Sequence, residues 1–133
     1  MFDFKNKRIT VMGLGLHGGG VAVTKFLAKR GAILMVTDLK NEKQLAPSIK
    51  KLKAFKIKYV LGRHRLEDFQ KADLIIQNPD VRGTSEFLET ARKNNIPVET
   101  DLSLFLKLCP SKNIIGITGT KGKSTTTALI YEI

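Results

Sequence analysis

The sequence is poor in much of what secreted and membrane proteins depend on. Of its 133 residues one is cysteine (Cys109), four are proline and none is tryptophan. A single cysteine excludes an internal disulfide, so the fold must rest on a packed core; it also suits a reducing cytoplasm. No apolar run approaches the roughly 18 residues that a helical membrane span needs. The opening Met1-Phe2-Asp3-Phe4-Lys5 has neither a long apolar stretch nor a small-residue cleavage site, and does not read as a signal peptide. Acidic residues are scarce as well: 12 Asp and Glu against 23 Lys and Arg leave a net charge of +11. Such an excess attracts anionic ligands or keeps a surface solvated. Much of it lies in Lys50, Lys51, Lys53, Lys56 and Lys58, without the interleaved aromatic platform on which bases stack. A solvated face is expected there, with no nucleic-acid and no membrane partner.

What is present is 42% hydrophobic residues in short runs separated by helical patterns. Apolar, β-rich runs predict strands over 8–12, 32–37, 57–61, 73–76 and 97–99. Between them, 21–30 places Ala22, Val23, Phe26 and Leu27 on one face, with Gly31 closing the helix. Residues 42–53 place Leu45, Ile49 and Leu52 inward, and Pro47 predicts a late start or a kink. A helix to about 94, capped by Thr84 or Ser85, turns Phe87, Leu88 and Ala91 inward. Another, capped by Asp101, turns Leu102, Phe105, Leu106 and Cys109 inward. Strands that alternate with helices, without hairpin signals, predict an α/β fold: a Rossmann-like parallel sheet of about five strands with helices on both faces. Pro110-Ser111 marks a linker, which divides the chain into 1–109 and 110–133. The second part reads as a strand at Ile114-Ile115-Gly116-Ile117, a glycine loop and the start of a helix.

Two glycine loops carry the chemistry, and ligands on parallel sheets bind beyond the strand ends where such loops lie. Gly13-Leu14-Gly15-Leu16-His17-Gly18 fits G-x-G-x-x-G between a strand and a helix. In that pattern Gly13 permits the tight turn, Gly15 lets the backbone approach a phosphate, and Gly18 allows close helix–strand packing. The helix start offers N–H groups and a positive dipole end to an anion. Asp38 lies 20 residues beyond Gly18, at a strand end where its carboxylate can accept hydrogen bonds from a ribose or a base. Alone, this motif indicates a dinucleotide such as NAD, or a nucleotide-sensing module.

The second loop, Gly116-Ile117-Thr118-Gly119-Thr120-Lys121-Gly122-Lys123-Ser124-Thr125, ends in the Gly-Lys-Ser of a P-loop. In such a loop backbone N–H groups wrap a phosphate, Lys123 reaches the β- and γ-phosphates and the Ser124 hydroxyl ligates Mg²⁺. A strict pattern would need glycine at 117, where this chain has isoleucine, so this is a variant. Two nucleotide sites in series suggest ATP-driven chemistry on a substrate that itself carries a nucleotide.

At these residues the chain resembles the Mur ligases. Gly116 to Ser124 matches their ATPase signature G-x-x-G-T-[NK]-G-K-[ST], including the position that spoils the strict P-loop pattern. Met12-Gly13-Leu14-Gly15-Leu16 looks like the first loop of the D-glutamate-adding branch. The resemblance implies ATP-dependent amide formation in the synthesis of peptidoglycan precursors. ATP would phosphorylate the carboxylate of a UDP-linked muramoyl substrate, and the amine of D-glutamate would attack the acyl phosphate. It further implies that Gly15, Leu16, His17 and Gly18 contact the UDP pyrophosphate. Asp38, Leu39 and Lys40 would meet uracil and ribose; Asn78, Pro79 and Asp80 would lie near the phosphates. Gly119, Thr120, Lys121, Gly122, Lys123, Ser124 and Thr125 would hold ATP, with Lys123 and Ser124 catalytic and Ser124 on Mg²⁺. Two positions depart from the family pattern: His17 replaces a common serine or threonine, and Asn78-Pro79-Asp80 replaces Ser-Pro-Gly. An aspartate beside a pyrophosphate is electrostatically unfavourable. The resemblance places the magnesium-binding acids, the adenine pocket and the amino-acid site beyond Ile133, so these 133 residues alone are expected to be inactive. The strand at 114–117, separated from its own sheet, is expected to be mobile or to pair with another chain. Other Mur ligases and the folylpolyglutamate synthases share this type of P-loop.

Overall fold

Every strand forms where β-branched and long apolar residues cluster: β1 Arg8–Met12, β2 Ile33–Asp38, β3 Ile57–Leu61, β4 Leu74–Gln77 and β5 Val98–Glu99. Six helices are interleaved or follow: α1 Gly19–Lys29, α2 Glu42–Lys50, α3 Leu66–Gln70, α4 Glu86–Lys93, α5 Asp101–Leu108 and α6 Lys123–Glu132. This is a computed structural model that describes residues 3–81 and 85–133. The capping role expected of Thr84, like the opening Met1-Phe2, lies outside the described residues.

The strands pair in parallel in the order β3-β2-β1-β4-β5. β1 is the hub: Ile9 stands opposite Leu34 of β2 on one side and Leu74 of β4 on the other. The chain steps outward from β1 in one direction, returns, and then steps outward in the other. That reversal leaves an open crevice beyond the C-terminal ends of β1 and β4. Both faces of the sheet are covered, as a purely parallel sheet requires. Ile9, Val11, Val36 and Ile76 pack with Leu27 of α1, Leu45 of α2 and Leu104 of α5. On the other face Met12 and Ile75 pack with Phe69 of α3 and with Leu88 and Ala91 of α4. Sealing each large apolar side chain contributes roughly 1.5–3 kcal/mol. Lys50, Lys51, Lys53, Lys56 and Lys58 are all exposed, the solvated face expected of them.

Several expectations need correction. α1 begins at Gly19, so the glycine cluster itself forms the first turn. α2 starts on time at Glu42 in spite of Pro47. A capping box of Asn41 and Gln44 pins its start, and Pro47 and Lys43 lie on the exposed side, where water can serve the carbonyl that proline leaves unpaired. The short α3 was not foreseen. Ser85 holds the cap position of α4 without a side-chain bond. α5 is capped by Thr100 rather than Asp101, through a reciprocal pair with Ser103. Its inward stripe is Leu104 and Leu108, spaced i, i+4; Leu102 is 62% exposed, Phe105 52% and Leu106 49%. Cys109 is half-buried just past the helix end. Glu99 of β5, bound by Lys107 and Ser103, sets this rotation by tying one side of α5 to the sheet.

Ile114–Ile117 forms no strand; it has no backbone partner among the described residues, and Ile114 and Ile115 are exposed. A lone strand has no ladder to join, and a turn of chemistry suited to a sheet cannot supply one. α6 nevertheless winds, with no buried residue. Among the described residues no helix is long and apolar enough to cross a membrane.

One pair at the base of the sheet makes stability depend on pH. The Asp73 carboxylate accepts the Arg8 N–H at 2.8 Å and the Arg8 guanidinium at 3.0 Å, while the Asp73 N–H donates to the Arg8 carbonyl at 2.7 Å. The side-chain hydrogen bond from Arg8, seconded by the backbone one, holds the Asp73 carboxyl below its ordinary range. A depressed folded value means the stabilisation is fully present above the unfolded value of about 3.9 and is lost as pH falls through the folded value. Urea melts are expected to show Asp73→Asn less stable than wild type at pH 6, with the gap closing below about pH 4. A gap that does not change with pH would show that the charge contributes nothing.

Candidate functional site

The crevice is built by glycines whose side chains could not be accommodated. Gly13 has a φ of +92°, and a Cβ there would stand 2.8 Å from the Cβ of Asn78. The β1–α1 loop therefore presses directly on the turn after β4. Asn78 holds that contact: its Nδ2 donates to the Gly13 carbonyl at 3.1 Å and its Oδ1 accepts the Asp80 N–H at 3.1 Å. The Gly15 peptide is gripped at both ends. Its N–H donates to Asp38 Oδ2 at 3.0 Å, and its carbonyl accepts the Ser48 hydroxyl at 2.7 Å. Asp38, 5% exposed, also accepts the Lys40 N–H through Oδ1 at 2.8 Å.

The N–H of Gly15 is engaged by Asp38 within the loop. One role differs from the sequence reading. Close packing of helix against strand falls not to Gly18, around which a Cβ meets nothing within 4 Å, but to Gly20, whose Cβ would lie 2.7 Å from the Gly13 carbonyl oxygen. Gly18 serves instead as the α1 N-cap in the left-handed region, φ +98°. The N–H groups of Gly18, Gly19 and Gly20 meet no acceptor among the described residues. They point the positive end of α1 into the crevice.

The crevice has two connected chambers that share Gly13, Gly15, Asn78 and Asp80. The smaller, about 190 Å³, is the amide cradle, bordered by His17, Gly18, Gly19, Pro79 and Asp101. The larger, about 540 Å³, is bordered by Asp38, Leu39, Lys40, His64 and Phe87. The predicted residues thus converge, except Leu16, which lines neither chamber and is largely exposed. Asp80 borders both.

Sequence reasoning missed His64, Ser48, Gly20 and Asp101. The signal for His64 was its place just beyond the third strand, at the sheet end where ligands bind. Ser48, inside a helix 33 residues from Gly15, gave none. The Nδ1 of His64 is hydrogen-bonded with the Thr37 hydroxyl, and its ring packs edge-on against Phe87 at 5.2 Å and Phe69 at 6.1 Å. Burial pushes the imidazole below its ordinary value, with Asp38 opposing, so it is neutral at physiological pH.

The second loop stands apart. None of the residues 119–125 borders either chamber. Gly119 and Gly122 take φ values of +149° and +79°, and Gly122 caps α6. The Lys123 ammonium donates to the Gly119 carbonyl at 2.6 Å, folded over its own loop. The two left-handed glycines and the lysine bond curl the loop ahead of α6, and the curl forms without a strand before it among the described residues.

Comparison with known proteins follows the same lines. Residues 7–100 match the family described as Mur ligase MurD-like, N-terminal domain. The UDP-N-acetylmuramoylalanine--D-glutamate ligase of Borreliella afzelii is 52% identical over 98% of this chain and 28% of its own length. The enzyme of the same name from Treponema pallidum is 47% identical over 97% of this chain and 25% of its own. The chain therefore spans about a quarter of the length of these relatives. Among solved structures, the UDP-N-acetylmuramate-alanine ligase MurC of Thermotoga maritima superposes with a TM-score of 0.64 at 27% identity, over 95% of this chain and 28% of that one. SirC, a precorrin-2 dehydrogenase, shares the fold alone, with a TM-score of 0.56 at 18% identity over 99% of this chain and 66% of that one. With its parallel five-stranded sheet, its double-chambered crevice and a family match across 7–100, the chain belongs to the MurD-like Mur ligases, as their N-terminal domain.

Proposed function

We propose that residues 1–109 hold the UDP part of a UDP-linked muramoyl substrate, and that 110–133 begin the ATP-binding part of a longer cytoplasmic ligase. The observation that carries this reading is the pair of connected chambers. One is lined by helix-start amides that meet no acceptor among the described residues and suits a diphosphate; the other, larger and bordered by Asp38, Leu39, Lys40 and His64, suits a nucleoside. Gly15, His17, Gly18, Asn78, Pro79 and Asp80 surround the first, and backbone dipoles rather than cationic side chains supply the attraction there. Leu16 acts at the rim. The names of the relatives point to the activity of the longer protein: joining D-glutamate to UDP-N-acetylmuramoyl-alanine. Gly119, Thr120, Lys121, Gly122 and Thr125 would hold the ATP phosphates, Lys123 would neutralise them, and the Ser124 hydroxyl would ligate Mg²⁺. ATP supplies the activation of the substrate carboxylate. The exposed Ile114 and Ile115 favour self-association through the tail.

Calorimetry with UDP, UDP-N-acetylmuramoyl-L-alanine and NAD tests the reading. UDP and the muramoyl nucleotide are expected to bind, NAD is not, and no ATP turnover is expected from these 133 residues. NAD binding without a UDP response would overturn the assignment in favour of a dehydrogenase-like module. Turnover comparable to that of an intact ligase would refute the inactivity.

A further inference from the structure

The larger chamber contains a fixed polar group that the motifs do not announce. Most of its polar atoms are already engaged: both oxygens of Asp38 accept backbone N–H groups, and the Asn78 amide is tied to Gly13 and Asp80. His64 is different. Its ring is immobilised from three sides by Thr37, Phe69 and Phe87, yet its Nε2 has no partner among the described residues. No buried polar side-chain atom among those residues goes unpaired, so Nε2 is open, and the chamber is the cavity that His64 borders.

The tautomer follows from Thr37. That residue is sealed from solvent, and His64 is the partner of its hydroxyl among the described residues. A buried hydroxyl proton needs an acceptor, so Thr37 donates to Nδ1, and the neutral ring carries its proton on Nε2. Nε2–H is then a donor held in place before any ligand arrives.

We propose that His64 is a specificity-determining contact of the nucleotide chamber, donating from Nε2–H to an oxygen, carbonyl or hydroxyl, of the nucleoside. The proposal rests on the reading of the crevice as a UDP site and names one residue that reads the ligand there. Phe87, which borders the same chamber, holds the ring at the angle that aims the donor. A group fixed in advance loses little freedom on binding, so a single hydrogen bond counts nearly in full.

Two conservative variants separate this role from a structural one. His64→Asn places an amide near Nδ1, keeps the acceptor for Thr37 and removes the group at Nε2. His64→Gln places its amide near Nε2 and gives up the bond to Thr37. A contact to the nucleoside predicts UDP affinity about tenfold weaker in His64→Asn and within about threefold of wild type in His64→Gln. A merely structural role predicts the reverse order, which would overturn the proposal. The imidazole resonances of His64, followed by NMR in the wild-type chain, are expected to shift on saturation with UDP; unmoved resonances would also overturn it. If the wild-type chain does not bind UDP at all, the underlying reading fails and this contact fails with it. If it binds UDP and His64→Asn binds equally well, only the contact fails.

Discussion

Gly20→Ala is expected to cost about 3 kcal/mol of stability and to weaken UDP binding by more than about tenfold. Gly20 is the second residue of α1, and its Cα faces the backbone of the preceding loop. A methyl group there would lie 2.7 Å from the Gly13 carbonyl oxygen and 2.8 Å from the Leu14 carbonyl carbon, and closer still to the Leu14 oxygen. These are main-chain atoms, which cannot rotate away as a side chain can. The loop cannot retreat as a whole either, because the Leu14 side chain is sealed in the core and Gly13 is pressed against Asn78. Relief must come from moving the start of α1, and with it the N–H groups that line the cradle. Gly18→Ala supplies the contrast. A Cβ there meets nothing within 4 Å, so its cost is the left-handed backbone alone, about 1–2 kcal/mol, and the cradle survives. Urea midpoints and calorimetry on both variants decide the matter. If Gly18→Ala proves the more damaging, the close-packing role belongs to the glycine that the motif suggests and not to Gly20.

That contrast shows where the sequence was legible. Periodicity located all five strands within a residue or two, because each is a short apolar run bounded by a turn and flanked by an amphipathic helix. The G-x-G-x-x-G and Asp38 were placed at the right strand ends, since topology alone fixes where parallel strands terminate. What stayed hidden was anything that depends on which way an element rotates or what it meets at a distance. α5 shows this best: Leu102, Phe105 and Leu106 have the hydrophobicity of a core stripe, but the capping box at Thr100 and the bonds from Glu99 turn Leu104 inward instead. Gly20 was hidden for a related reason. Its neighbour across the gap is the loop itself, and only the approach angle of α1 reveals the contact. Ser48 was beyond reach, because a helix serine signals nothing until the chain brings it to Gly15. His64 lay between these extremes: its position after β3 was readable, but its partners Thr37, Phe69 and Phe87 come from three separate segments.

Asp38→Asn is expected to reduce UDP affinity by about a hundredfold, a loss larger than its effect on stability would explain. The carboxylate uses one oxygen for the Gly15 N–H at 3.0 Å and the other for the Lys40 N–H at 2.8 Å. An asparagine amide has a single acceptor. Whichever way it is turned, its NH₂ group confronts a backbone N–H, leaving a buried donor unsatisfied at a cost of about 1–3 kcal/mol. The loop around Gly15 then loosens where the two chambers join. Asp38 also borders the larger chamber, a carboxylate oxygen with one hydrogen bond has capacity for a second, and the substitution removes the charge that makes such acceptors strong. Ser48→Ala separates the two effects. It releases the Gly15 carbonyl from the other side, at a cost of about 1 kcal/mol, and Ser48 itself lines neither chamber, so the substitution removes no group a nucleoside could meet. If Asp38 served only to clamp the loop, the two variants would lose affinity in proportion to their loss of stability. A direct contact predicts instead that Ser48→Ala stays within about threefold of wild type while Asp38→Asn falls far below it. Wild-type affinity in Asp38→Asn would remove Asp38 from the site, and with it the reason for placing the nucleoside at the end of β2 rather than elsewhere along the sheet.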